Sequence, residues 1–267
     1  MANELGITAR HIDEFPDAAA KDAGATEVLV VRDADVDVTA QVEQIRAHLD
    51  EATTEKAQER DLELGRWLST ARLTKDAWEV GQMREACDAT ARGFEAVVAD
   101  LPEAVRRGRG ERWVEGVFGL HARHAGNGVG YDSICASGDH ANTLHWIKNT
   151  GDIKDGDLIL VDAGVEVDSL FTADVTRTLP VNGTYSPAQR EVYEAVLAAQ
   201  EAGLAAAKPG AKFSDVHAAT IRVIAERLHG WGLLPDGVDV EATLDPENGQ
   251  FHRRWMVHGL SLIHISE

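Results

Sequence analysis

Cysteine is scarce in this sequence: its 267 residues include only Cys87 and Cys135, and these do not form a C-x-x-C pair. Two cysteines are too few for a disulfide framework or a thiolate zinc site, and such a low content is typical of a reducing compartment. No apolar run approaches the roughly 18 residues of a membrane-spanning helix, and the N-terminus lacks a basic segment followed by an apolar one. We therefore expect a cytoplasmic protein with neither a signal peptide nor a membrane span.

Positive charge is also in short supply. The sequence has 26 Lys and Arg against 45 Asp and Glu, which gives a formal net charge of −19 at pH 7. A field of this sign repels both the phosphates of nucleic acid and anionic lipid. The composition therefore argues against nucleic acid and membranes as partners, while the 44% of hydrophobic residues is ample for a buried core.

Three familiar catalytic patterns are missing as well: H-E-x-x-H, G-x-S-x-G and G-x-x-x-x-G-K-[ST] do not occur. Their absence argues against a zincin, an α/β-hydrolase and a P-loop nucleotide-binding protein. A catalytic site must therefore be sought in other residues.

Hydrophobic periodicity predicts the order of the secondary-structure elements. Helices are predicted over 75–101, 111–124, 187–207 and 214–230, and short strands over 131–137, 144–146, 158–162 and 170–179. Pro102 is expected to end the first of these helices. Because helices and strands are segregated rather than alternating, this order predicts an α+β fold with helices on one face of an antiparallel sheet.

The first 72 residues have the pattern of a partial α/β unit. A short buried strand is predicted from Glu27 to Val31, and Thr39 is expected to cap the helix that follows. The highly charged stretch from Lys56 to Glu63 is interpreted either as the exposed end of that helix or as a linker.

The segment from Leu158 to Pro180 contains the most informative acidic residues. Asp162 ends an apolar strand, where an ionised carboxylate is costly unless it is paired or metal-bound. A hairpin centred on Asp168 would place Asp174 directly opposite, with the two Cβ atoms about 5 Å apart. Such a pair needs a shared proton or a cation, and oxygen ligands favour Mn²⁺, Mg²⁺ or Ca²⁺. The alternative is a set of solvated loop carboxylates, because a register slip of one residue would separate the two side chains.

Four motifs occur in order along the chain: LHW at 144–146, VDAG at 161–164, ADVTRT at 173–178 and MVHGLS at 256–261. With these motifs the chain resembles the Xaa-Pro aminopeptidases (aminopeptidase P) of the pita-bread metallopeptidase family, to which prolidase, methionine aminopeptidase and creatinase also belong. The resemblance implies a pita-bread (creatinase/aminopeptidase-like) fold and a proline-containing peptide as substrate.

The resemblance also implies a set of site residues. Asp162 and Asp174 would be metal ligands, His145 and His258 would be the substrate-side catalytic residues, and Thr176 would support a ligand carboxylate. Two ions, usually Mn²⁺, would hold a hydroxide that releases the N-terminal residue from Xaa-Pro peptides. Prolidase, which takes dipeptides, and a pita-bread binding module without catalysis are the alternatives, and a homo-oligomer is left open.

One position departs from the family pattern. Where the family has a metal-ligating histidine after H-G-x-S, this chain has Leu262, and His264 in the unrelated tail is a poor substitute. We therefore expect a truncated chain: a partial N-terminal domain at 1–72, an incomplete pita-bread domain at 73–261 and a non-native tail at 262–267. Because the family's later ligands are missing, such a fragment is expected to be inactive.

Overall fold

The computed structural model describes residues 6, 8, 10–22, 28–32, 34–234, 237 and 239–244. The chain divides into two compact units, 1–77 and 78–267. The domain boundaries expected from the sequence stay a prediction, and the tail at 262–267 lies outside the described residues. None of the helices in the described ranges is both long enough and apolar enough to cross a bilayer.

In the first unit, the described helices follow a short 3₁₀ turn at Ile12–Glu14. They are α1 (Phe15–Asp22), α2 (Val36–Arg46) and α3 (Glu51–Leu73). The carboxylate of Asp35 caps α2 by accepting hydrogen bonds from the amides of Asp37 and Val38. The cap predicted at Thr39 is therefore wrong, because that residue lies one turn inside the helix. Residues 28–31 of the predicted strand are not in a strand.

The described part of the first unit contains a buried ion pair. Asp61 accepts hydrogen bonds from both terminal nitrogens of Arg46, at 2.6 and 2.9 Å, and from the amide of Val30 at 3.0 Å. Burial disfavours the charged carboxyl, but the hydrogen bonds from Arg46 and Val30 outweigh it and lower the pKa of Asp61. The charged stretch that contains Asp61 is thus the middle of α3, neither a linker nor the end of α2.

The second unit combines long helices with short antiparallel strands. Its described helices are α4 (Ala77–Arg107), α5 (Gly110–Ala125), α6 (Pro187–Ala206), α7 (Phe213–Gly230) and α8 (Val240–Leu244). Its described strands are β1 (Gly128–Val129), β2 (Ile134–Ser137), β3 (Leu158–Ala163), β4 (Val165–Glu166) and β5 (Val175–Pro180). The strands form a three-stranded sheet in the order β2-β3-β5 and a two-stranded sheet β1-β4, and all pairings are antiparallel.

Two sequence predictions about these elements are wrong. Helix α4 continues past Pro102 to Arg107. A proline removes one backbone hydrogen bond, but the buried neighbours Leu101 and Ala104 keep this part of the helix packed. The strand predicted at 144–146 is absent as well, because His145 has a φ of +53°, in the left-handed region, which a strand cannot contain.

The core of the second unit lies between α4, α5 and one face of the three-stranded sheet. Phe118 of α5 is fully buried and meets Phe94 of α4 edge-on, with ring centroids 5.7 Å apart. The sheet contributes alternate residues, including Cys135, Ile159 and Val161. Because strand side chains alternate between faces, the neighbouring residue Asp162 lies on the other face of the sheet. The predicted α+β arrangement is confirmed.

We predict that Phe118→Ala lowers the free energy of unfolding by about 3–5 kcal/mol, because the truncation leaves a cavity between the two helices and the sheet. Urea denaturation followed by circular dichroism measures the change. Leu120→Ala is the matched control, since Leu120 lies on the same helix but is 69% exposed, and it should change stability by less than about 0.5 kcal/mol. Equal losses in the two variants would contradict this assignment of the core.

Candidate metal centre

The hairpin that carries the two aspartates has a different register from the predicted one. Asp162 lies directly opposite Thr176, and Ala163 lies opposite Val175. The predicted direct pairing of Asp162 with Asp174 is therefore wrong by two positions. A shift of two residues leaves the side chains on the same face, because the side-chain period of a strand is two.

The position of the turn explains the shift. The amide of Val167 donates to the carbonyl of Phe171 at 3.0 Å, so the loop consists of residues 168–170 and is centred on Ser169. Leu170 closes the loop with a φ of +69°. A three-residue hairpin loop with a left-handed last residue is a common connection, but glycine normally occupies that position. Because leucine stands there instead, the sequence does not show where the loop ends. Moving the centre of the hairpin by one residue, from Asp168 to Ser169, moves the residue opposite Asp162 by two positions.

The carboxylates of Asp162 and Asp174 meet at a single hydroxyl group. The hydroxyl of Tyr131 lies 2.6 Å from Oδ1 of Asp162 and 3.0 Å from Oδ1 of Asp174. Burial, together with the hydrogen bonds to and charges of these two acids, raises the pKa of Tyr131 far above its usual value. Tyr131 therefore keeps its proton, and its hydroxyl lies within hydrogen-bond distance of two acids that point at one spot. The sequence analysis treated Tyr131 only as the start of a predicted strand.

Gly164 makes this close arrangement sterically possible. A Cβ atom on this residue would lie 1.6 Å from the carbonyl oxygen of Ala173 and 3.2 Å from Cε1 of Tyr131. The carbonyl of Gly164 accepts a hydrogen bond from the amide of Gly130 at 2.9 Å, immediately before the tyrosine. The amide of Val165 donates to the hydroxyl of Thr90 on α4 at 2.9 Å. The glycine of the VDAG motif is thus the point where β3, the approach to β5 and the tyrosine come together.

His145 lies within the described residues, on a loop outside the strands of the aspartate hairpin. His145 is exposed on a turn that follows a 3₁₀ helix at Gly138–Asn142, and its carbonyl accepts the amide of Ile147 at 2.8 Å. An exposed imidazole is not part of the core, and the substrate-side role of His145 stays a prediction. His258 lies outside the described residues, as do Leu262 and His264.

The loop that carries His145 is attached to a buried carboxylate on α5. Oε1 of Glu111 accepts the amide of Ser137 at 2.9 Å and contacts Nδ1 of His140 at 2.8 Å. Oε2 accepts the indole of Trp146 at 3.0 Å and the amide of Gly151 at 2.6 Å. Sequence reasoning missed this residue, because its partners lie 26 to 40 positions away along the chain.

The pair of aspartates can take part in binding a hard divalent cation. Carboxylate oxygens are the ligands that Mn²⁺, Mg²⁺ and Ca²⁺ prefer, and two like charges at one hydroxyl are stabilised by a cation. Within the described ranges, no group of three or more His, Cys, Asp and Glu residues could hold a metal ion. The described residues therefore fit a divalent metal but provide only part of a ligand set.

Comparisons with known proteins agree with this chemistry. The model of metallopeptidase family M24 matches residues 81–265. Xaa-Pro aminopeptidase 1 of Streptomyces coelicolor is 52% identical over 214 residues, which are 80% of this chain and 42% of the relative. Xaa-Pro aminopeptidase 2 of the same organism is 55% identical over 184 residues, which are 69% of this chain and 39% of the relative. The chain thus spans about two fifths of the length of these curated relatives.

Solved structures show the same likeness. A substrate complex of an Escherichia coli aminopeptidase P variant superimposes with a TM-score of 0.75 at 26% identity and covers 97% of this chain and 58% of its own. An aminopeptidase of Pseudomonas aeruginosa gives a TM-score of 0.75 at 31% identity, with 91% and 55% covered. The protein therefore has the α+β pita-bread fold of aminopeptidase P. The chain belongs to metallopeptidase family M24, whose members use a divalent metal.

We predict that Gly164→Ala destabilises the protein by about 1–3 kcal/mol, because the added methyl group must displace the backbone at Ala173. Chemical denaturation measures the change in the free energy of unfolding. Gly119→Ala is the control: this helical glycine has nothing within 4 Å of its Cβ position, so the same substitution should stabilise by about 0.5–1 kcal/mol. A neutral effect of Gly164→Ala would mean that the close approach is not as described.

Proposed function

We propose that the protein is a metal-dependent aminopeptidase that releases the N-terminal residue from Xaa-Pro peptides. The observation that carries this proposal is the convergence of the Asp162 and Asp174 carboxylates on the Tyr131 hydroxyl, in a chain of metallopeptidase family M24. The names of the two Streptomyces coelicolor relatives support the substrate class and favour an aminopeptidase over a dipeptidase. The scarcity of cysteine favours the cytosol as the place of the reaction.

In this proposal Asp162 and Asp174 are ligands to two divalent ions, with Mn²⁺ as the first choice. Ions held by these residues would supply Lewis-acid chemistry, which would lower the pKa of water and stabilise negative charge on the scissile carbonyl oxygen. Tyr131 donates to both carboxylates and fixes their orientation, as groups around a metal site commonly do. His145 and His258 orient the peptide and donate hydrogen bonds where charge develops.

The first test of this proposal is metal binding measured by calorimetry on the 267-residue chain. Asp162→Asn and Asp174→Asn should each weaken Mn²⁺ binding by at least about tenfold, since even residues behind the ligands typically contribute that much. Asp168→Asn is the matched control, because Asp168 is an exposed residue in the turn of the same hairpin. If all three variants bind Mn²⁺ like the unchanged chain, the two aspartates are not ligands.

The second test is hydrolysis of an Xaa-Pro peptide by the full-length protein, expressed from its complete gene and supplied with Mn²⁺. Asp162→Asn and Asp174→Asn should lower kcat/KM by about 10²-fold or more, and Asp168→Asn should leave it unchanged. Mn²⁺ binding without cleavage would overturn the peptidase proposal and favour a pita-bread binding module.

A further inference from the structure

Glu111 is a carboxylate that the proposed metal chemistry does not use, yet its side chain is fully buried in the first turn of α5. Burying a carboxylate is costly unless donors surround it. Burial raises its pKa, but the hydrogen bonds from Ser137, Trp146, Gly151 and His140 outweigh this effect and hold the pKa of Glu111 below its usual value. The carboxylate is therefore ionised and satisfied at neutral pH.

The groups around Glu111 all come from one segment of chain, residues 137–151. Ser137 is the last residue of β2, and Gly151 lies at the far end of the segment. His140 and Trp146 lie between them, and their rings stack with centroids 4.0 Å apart and planes 27° apart. The carboxylate thus closes a loop by binding both of its ends and two points between them.

The space around Glu111 is filled, so the loop has little freedom to shift. A Cβ atom on Gly151 would lie 2.8 Å from Cδ of Glu111 and 2.8 Å from Nδ1 of His140. A second anchor follows at Asn149, which is fully buried. Its side chain accepts the amide of Cys135 and donates to the carbonyl of Ser133, both at 2.9 Å. Glu111 thus fastens the loop to α5, and Asn149 fastens it to β2 and the residue that precedes this strand.

His145 lies in this loop between two residues that contact Glu111, His140 and Trp146. It is exposed and has a left-handed backbone conformation with a φ of +53°. Residues other than glycine persist in this conformation only where their surroundings impose it. Trp146, the next residue in the chain, is held directly by Glu111, so the carboxylate fixes the backbone immediately after the histidine.

We propose that Glu111 is a positioning residue for the peptidase reaction: it clamps the loop at 137–151 and so fixes the exposed imidazole of His145 toward the peptide substrate. This role rests on the proposed function, which gives His145 its contact with substrate. Glu111 itself is buried and touches neither the substrate nor the metal ligands through any of its hydrogen bonds described above.

Glu111→Gln is the most informative variant because it keeps the shape of the side chain and changes its hydrogen bonding. A carboxylate offers two acceptor oxygens, whereas an amide offers one oxygen and one NH₂ donor. The NH₂ group of the glutamine would therefore face hydrogen-bond donors, either those of Ser137 and His140 or those of Trp146 and Gly151, and those bonds would be lost. Glu95→Gln is the matched control, since Glu95 is exposed on α4.

The kinetic test is a double-mutant cycle on Xaa-Pro hydrolysis by the full-length, Mn²⁺-loaded protein. Glu111→Gln should lower kcat/KM by about 10- to 100-fold, and Glu95→Gln should not change it. When His145→Ala is already present, Glu111→Gln should have no further effect, because it acts through that histidine. Two fully additive losses would overturn the positioning role, since a general loss of structure does not depend on His145.

A second measurement follows the loop without using activity. Amide hydrogen exchange in residues 138–151 of the 267-residue chain should speed up by about tenfold or more in Glu111→Gln, while amides of β3 and α4 keep their rates. Unchanged exchange in the loop would overturn the clamp. Absence of Xaa-Pro cleavage by the unchanged enzyme would instead overturn the proposed function, and with it the link to catalysis, while leaving the clamp to be decided by exchange.

We predict a pH dependence for the stabilisation by Glu111. A group whose pKa is lowered on folding stabilises the protein above its unfolded pKa and loses this effect as the pH falls. The difference in urea midpoint between the unchanged chain and Glu111→Gln should therefore be largest near neutral pH and shrink below the ordinary glutamate value of 4.5. Repeating the urea midpoints over the same pH range in the His140→Gln background removes the contribution of the neighbouring imidazole. A difference that grows in acid would contradict the ionised state.

Discussion

Two negative charges held at one hydroxyl group are the constraint on which the site of this protein depends. Asp162 and Asp174 come from two chain segments of one hairpin, and both accept from Tyr131. Like charges repel, and the surrounding backbone holds the two acids close together. The absence of a side chain at Gly164 lets the carbonyl of Ala173 approach, and this approach brings Asp174 next to the end of β3.

The helical layer keeps this arrangement rigid. One face of the sheet is buried against α4 and α5 through residues such as Ile159 and Val161, which leaves the face with Asp162 for chemistry. Thr90 of α4 also binds the amide of Val165, one residue past the glycine. A site built on strands that are packed against helices is held more accurately than one on free loops. The loop at 137–151, in contrast, is held by the hydrogen bonds of two buried polar side chains, Glu111 and Asn149.

The sequence was sufficient for the features that depend on periodicity. Alternation within strands predicted that the two aspartates share a face, and apolar spacing predicted α5, α6 and α7 to within a few residues. The register was not predictable, because Leu170 occupies a left-handed position where glycine would have given a signal. The end of α4 was misjudged for a related reason: burial of Leu101 and Ala104 outweighs the local effect of the proline, and burial is a tertiary property.

Glu111 and the aspartate pair differ in how far along the chain their partners lie. This difference explains why sequence reasoning found the aspartates and missed Glu111. The aspartates lie twelve positions apart in one hairpin, so strand geometry alone suggests that they meet. Glu111 is satisfied by donors from a loop 26 or more positions away, and no local pattern encodes such a contact. A carboxylate that is surrounded by hydrogen-bond donors from one loop holds that loop in place, whereas a pair of acids that converge on one hydroxyl favours a cation. The two kinds of surroundings correspond to the two proposed roles, in which Glu111 anchors the loop and the aspartates bind the metal.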